Sequence, residues 1–193
     1  MKIVFLGLQG AGKGVFSRML AEELKIPLVS VGDILREKAE VKKYVDKGLE
    51  VPDEVVFDII KKNLKESFIL DGFPRTLNQI KLLGKIDKAI YIKIPEETGI
   101  KRLLGRRVCN KCKQIFNIHT QKPKRKGICD ICGGKLVKRK DDTLELIKKR
   151  MEWSKRDLFP VIREYKKIGI LEEVDGEGNA DMVYERIRKL FKQ

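Results

Sequence analysis

Four consecutive apolar residues, Ile3, Val4, Phe5 and Leu6, stop abruptly at Gly7. A run this short with no polar face is what a strand covered on both sides looks like, as in a parallel sheet. The period then changes. Val15, Phe16, Met19, Leu20 and Leu24 recur at helical spacing, so an amphipathic helix follows. The alternation continues along the chain. Strands are predicted over 27–30, 67–71, 89–92 and 171–174, and helices over 33–40, 54–64, 96–106 and 180–191. A further helical pattern over 142–167 contains Pro160, which removes a ladder hydrogen bond, so a bend or break is expected there. Segment 107–140 interrupts this order: it reads as loop-rich and basic, and it holds all four cysteines. Strands alternating with helices predict an α/β fold with a mostly parallel, five-stranded sheet.

At 193 residues the chain can build one core, or one core with small appended lobes. Its 42% hydrophobic content suits a folded domain. The net charge of +15, from 43 Lys+Arg against 28 Asp+Glu, favours anionic partners, nucleotides or nucleic acid among them. Scattered lysines also read simply as a solvated surface of the kind thermophiles use. No apolar run approaches the roughly 18 residues of a membrane helix. The opening MKIVFLGL runs straight into glycine-rich sequence rather than a cleavage site. A cytoplasmic protein without a membrane partner is expected.

Between the first strand and the first helix stands GLQGAGKGV, residues 7–15. The spacing G-x-x-x-x-G-K at that junction is a phosphate-binding loop. Glycines let successive backbone N–H groups face one anion, the helix N-terminus adds partial positive charge, and Lys13 reaches the β- and γ-phosphates. The hydroxyl that usually follows, and that binds magnesium, is missing: Gly14 and Val15 stand there. Asp71, closing the third strand at the edge where parallel sheets bind ligands, resembles the acid of a Walker-B strand. Magnesium keeps several waters, so Asp71 can hold it through its hydration shell.

Cys109, Cys112, Cys129 and Cys132 form C-x2-C, sixteen residues, C-x2-C. That spacing fits a closed structural zinc site of four thiolates. Rubredoxin-like iron shares the spacing, and two disulfides are the alternative that a reducing cytoplasm disfavours. His119, the single histidine, is expected to be exposed rather than a ligand.

Five motifs remain: VGDILR at 31–36, DGFPRT at 71–76 with Gln79 beyond it, GRR at 105–107, RKDD at 139–142, and Arg150. With these, in order over nearly the whole chain, the sequence resembles the adenylate kinase family of nucleoside monophosphate kinases. The chemistry is consistent: phosphoryl transfer between nucleotides rests on positioning and charge neutralisation, for which the planar fork of arginine is suited.

The resemblance implies a P-loop NTPase-type sheet flanked by helices with two inserted lobes. The core would comprise 1–29, 52–106 and 140–193, the monophosphate-binding lobe 30–51 and the metal-bearing lid 107–139. It implies the reaction ATP + AMP ⇌ 2 ADP with magnesium, and residue roles. Lys13, Arg36, Arg75, Arg106, Arg139 and Arg150 would carry catalysis, with Asp141 and Asp142 orienting arginines. Gly7, Gln9, Gly10, Ala11, Gly12, Lys13, Gly14, Val15, Arg102 and Arg106 would bind ATP, Arg102 stacking on the donor adenine. Val31, Arg36, Val51, Gly72, Phe73, Arg75, Gln79, Arg139 and Arg150 would bind AMP, Gln79 reading its base.

Gln9 and Val15 replace the family's usual Pro and Thr, Val31 replaces its Thr, and the segment 30–51 is short. The lost hydroxyl at Val31 is expected to weaken base discrimination by about 1 kcal/mol. A UMP/CMP-type kinase is the nearest alternative. A nucleic-acid-binding protein, built on the cysteine segment and KPKRK at 122–126, is another; that run lacks interleaved aromatics for base stacking. A monomer is expected.

Overall fold

The computed structural model describes residues 1–47 and 49–192. In chain order the elements are β1 Lys2–Leu6, α1 Lys13–Leu24, β2 Leu28–Ser30, α2 Val31–Glu37, α3 Ala39–Asp46, α4 Asp53–Lys61, β3 Phe68–Asp71, α5 Leu77–Leu83, β4 Lys88–Lys93 and α6 Glu96–Gly105. Then come β5 Arg106–Cys109, β6 Ile115–Asn117, β7 Leu136–Val137, α7 Leu144–Lys167, β8 Leu171–Asp175 and α8 Ala180–Lys189. Five parallel strands form one sheet in the order β2-β3-β1-β4-β8.

The all-apolar β1 is explained by what covers its two faces. Side chains alternate across a strand. Val4 and Leu6 pack in a cluster with Ile147, Met151, Leu158 and Tyr165 of α7. Ile3 and Phe5 pack on the other side with Phe16 and Leu20 of α1 and Val183 and Ile187 of α8. With helices on both faces there is no wet side to call for polar residues.

The strand order also places the ligand crevice. From β1 the chain moves two strands to one side, to β2, and after β3 it crosses β1 to reach β4 on the other. The carboxyl end of β1 is therefore a topological switch point, where the flanking connections diverge and leave a cleft. The glycine loop leaves β1 there. Asp71, level with Phe5 and Ser30, ends β3 at the same edge.

Several features depart from the periodicity reading. The helix expected over 33–40 begins earlier, as α2, and a second short helix, α3, follows it. The seven-residue α5 was not anticipated; Thr76 caps it, its hydroxyl accepting from the Gln79 N–H at 3.1 Å. Across Pro160, α7 runs as one helix of 24 residues. The buried Leu158, Val161 and Ile162 hold it to the sheet on both sides of the missing bond. Segment 107–140 is not merely loop, since β6-β5-β7 form a small antiparallel sheet there. No helix among the described residues is long and apolar enough to cross a membrane.

Candidate active site

The glycine loop folds back on its own lysine. Lys13, first residue of α1, donates from Nζ to the carbonyls of Gly7 at 2.7 Å and Leu8 at 3.0 Å. Gly10 has φ +83°, and a Cβ there would stand 2.4 Å from the Gly99 carbonyl oxygen of α6, so only glycine lets the loop lie against that helix. Gly14, at the position of the Walker hydroxyl, leaves room for Asp71; a Cβ would sit 3.0 Å from Asp71 Oδ2. Burial pushes the Lys13 ammonium down to about 8, against the raising effect of Asp71. Burial likewise raises the Asp71 carboxyl, against Lys13 and Arg75. Each is partner to the other in a cleft that solvates neither well.

Two cavities open on this edge of the sheet. The larger, about 700 Å³, is lined by the loop and Lys13, by Arg102 and Arg106, and by residues of the small antiparallel sheet and its flank such as Ile115 and Gln121. The smaller, about 480 Å³, has an apolar end at Val31, Leu35, Val51 and Val56 and is closed by Gln79 and Trp153. Gly32, Arg36, Gly72, Arg75 and Arg150 line both. Three guanidinium groups thus stand where the two cavities meet.

Aspartates hold most of these cations. Arg106 makes a two-pronged pair with Asp142, at 2.8 and 2.6 Å. Arg150 donates to Asp141, and to Asp142 at 3.2 Å. Arg139 and Arg36 both approach Asp33 Oδ1 at 3.3 Å. Asp142 is wholly buried and Asp141 nearly so. Burial still lowers Arg139 and Arg36, and neighbouring cations add to it: Arg106 and Arg36 for the first, Arg106 and Arg150 for the second. Burial also lowers Arg75, with Arg150 and Arg36 adding to it against Asp71. Nε of Arg36 and Nε of Arg150 are buried donors with no partner among the described residues. A cleft where cations outnumber carboxylates, with guanidinium N–H groups unsatisfied, is complementary to phosphate.

Gln79 is pinned at the far wall. Its Nε2 donates to Asp53 at 2.5 Å and its Oε1 accepts from the Arg75 backbone N–H at 2.7 Å, leaving one amide hydrogen for a ligand. Arg102 donates to the Gly176 carbonyl at 3.0 Å and walls the larger cavity. Gly7 and Ala11, although part of the loop, line neither cavity. Phe73 is fully buried beside Phe57, a core residue rather than a lining one.

In the small sheet the four cysteine ligand atoms lie within 4.8 Å of one another. Sγ of Cys109 is 3.4 Å from that of Cys132, and Sγ of Cys112 is 3.6 Å from that of Cys129. Those separations are far beyond a disulfide bond, and all four cysteines are free. They match thiolates converging on one tetrahedral ion. Although burial opposes it, backbone N–H groups of Cys112 and Lys111 draw the Cys109 thiol down to about 6. Cys112 is pushed up to about 12 despite a backbone N–H from Gln114, by burial and by hydrogen bonds with the neighbouring cysteine sulfurs. His119 is exposed.

A family model described as adenylate kinase matches residues 5–170. Adenylate kinases of Clostridium acetobutylicum and Caldicellulosiruptor saccharolyticus are each 41% identical to the chain; the first alignment covers 99% of both proteins, the second 98% of this chain and 99% of the relative. That of Clostridium tetani is 40% identical over 99% of this chain and 98% of its own length. The chain belongs to the adenylate kinase family. In this adenylate kinase family member, two residues that the motif reading left without a role stand inside the site. Asp33 belongs to the VGD motif and receives two arginines. Trp153 lies three residues after Arg150, and i, i+3 spacing on one helix would have placed it beside that arginine.

Proposed function

We propose that the protein transfers the γ-phosphoryl group of ATP to AMP, reversibly, giving two ADP. The observation that carries the reading is the junction of the two cavities, lined by Arg36, Arg75 and Arg150 next to the lysine-bearing loop. A nucleotide in each cavity would bring its phosphates to that junction from opposite sides. The transferred group needs no covalent intermediate and no strong base; it needs two oxygens aligned and the charge between them neutralised.

In this reading the loop N–H groups over 7–15 and Lys13 hold the donor phosphates, while Arg102 covers the donor base. Arg36 and Arg75 grip the acceptor phosphate. Arg106, Arg139 and Arg150, oriented by Asp141, Asp142 and Asp33, close on the transferred group. Val31, Val51 and Gln79 surround the acceptor base. Asp71 would hold a magnesium ion bound with ATP, and that ion would supply charge neutralisation of the phosphates. Segments 30–51 and 107–139 act as lobes that close over the acceptor and donor and exclude water, which would otherwise take the phosphoryl group. Cys109, Cys112, Cys129 and Cys132 hold a structural zinc ion that leaves no position open for catalysis. The setting is the cytoplasm, and the working unit a monomer.

The test is ADP formation by the purified protein with ATP, magnesium and each of AMP, CMP, UMP and GMP. AMP is expected to be the best acceptor, by a margin narrowed by Val31. CMP or UMP as best acceptor would overturn the assignment in favour of a pyrimidine nucleotide kinase. Salt-sensitive binding of RNA or DNA without phosphoryl transfer would overturn it altogether.

A further inference from the structure

Trp153 is the single tryptophan of the chain. On α7 it follows Arg150 by three residues and precedes Asp157 by four, so the three share a helix face, and all three line the smaller cavity. The indole is half-buried. Its Nε1 is shielded from solvent and has no hydrogen-bond partner among the described residues, although a buried indole N–H ordinarily finds one. No polar tether therefore fixes the ring. What the ring meets is Arg75, whose guanidinium carbon stands 5.5 Å from the ring centroid, within the range of a cation–π contact.

Arg75 differs from the other arginines that gather around the junction of the two cavities. Arg36, Arg106, Arg139 and Arg150 each form an ion pair with Asp33, Asp141 or Asp142. Among the described residues Arg75 has no carboxylate within 4.0 Å; its Nε donates to the Gly72 carbonyl at 2.8 Å, and its planar head is left to the indole. We propose that Trp153 is the positioning residue for Arg75, its π face doing for that guanidinium what the aspartates do for the others. The physical difference matters. A carboxylate orients an arginine and also offsets its charge. An aromatic face orients it while leaving nearly the whole charge for an incoming anion. Of the three arginines at the junction of the cavities, Arg75 is thus restrained without a paired carboxylate, in readiness for the acceptor phosphate. This rests on the reading of the smaller cavity as the acceptor site.

The experiment compares the unaltered protein with Trp153→Phe and Trp153→Leu, varying AMP at saturating ATP and ATP at saturating AMP. Phenylalanine keeps an aromatic face and loses the N–H; leucine loses both. KM for AMP is expected to rise about fivefold in Trp153→Leu, the size of a partly exposed cation–π contact. It should stay within about twofold of the unaltered value in Trp153→Phe, with KM for ATP unchanged in both. Equal behaviour of the two variants, in either direction, overturns the proposal, as does an equal rise in KM for ATP. A measurement without any variant accompanies it: the emission of the sole tryptophan should change saturably as AMP is added, and an emission indifferent to AMP overturns the proposal as well. Absence of ADP formation by the unaltered protein would instead sink the reading of the site, a failure visible before any variant is made.

Discussion

Lys13 is the residue whose surroundings tell most about its task. It stands in a cleft that desolvates it, hydrogen-bonded to two carbonyls of its own loop, and its ammonium titrates near 8. Triphosphate oxygens add negative charge beside it to that of Asp71, so binding ATP should raise that value. The sign follows. Well below pH 8 Lys13 is charged with or without ligand, and no proton moves; between pH 8 and 9 it is partly neutral when free and charged when bound. ATP binding is therefore expected to take up protons in that window, and Lys13→Met to abolish the uptake. Calorimetry in buffers of different ionisation enthalpy measures it. Asp142 offers a second prediction. It is fully buried and receives both Arg106 and Arg150. Removing one partner of a buried pair strands the others, so Asp142→Ala should lower stability by about 3 kcal/mol in urea unfolding. Full stability in that variant would mean that the arginines find water instead.

Among the elements, the small sheet β6-β5-β7 is the least able to stand alone. Its apolar core consists of Phe116 and Leu136 with the buried cysteines. A core of that size offsets little of the entropy of ordering the segment, and in the proposed reading an ion held by the four thiolates supplies the difference. Stripping the metal with a chelator is expected to split thermal unfolding into two steps, the lid melting first and the parallel sheet near its former temperature. A single, unshifted calorimetric transition after verified metal loss would show that the lid needs no ion. By contrast, α7 is held along its length by the sheet. It can carry Arg150 and Trp153 at fixed spacing, because its core-facing residues anchor both sides of Pro160.

On the scale of the whole molecule, charge and topology act together. A net charge of +15 draws nucleotides, and the switch-point cleft gathers part of it where the phosphates must go. Salt screens such steering beyond a Debye length, about 8 Å at physiological ionic strength. The association rate of ADP, followed by stopped-flow fluorescence, should fall several-fold between about 0.05 and 0.5 M salt, with a much smaller change in its dissociation rate. A salt-independent association rate would assign the excess lysines to solvation alone.

Some of this was legible in the order of residues and some was not, for physical reasons. Burial on two faces forces a strand to be apolar throughout, and a phosphate loop needs glycines and a lysine at fixed spacing. β1, the loop, the alternation of strands with helices and the paired cysteines are local or near-local requirements of that kind, so the chain itself determined them. Short helices such as α3 and α5, and the strands of the lid, carry too few residues for a period to emerge, and their stability comes from caps and neighbours. The site is a matter of distance in space. Which aspartate holds which arginine, that Arg75 has an indole where Arg36, Arg106, Arg139 and Arg150 have carboxylates, and that three guanidinium groups stand between two cavities depend on side chains up to 106 residues apart meeting. Only the packing of α7 and the small antiparallel sheet against the carboxyl edge of the parallel sheet decided the long-range pairings, because an ion pair or a cation–π contact between distant elements has no sequence period of its own.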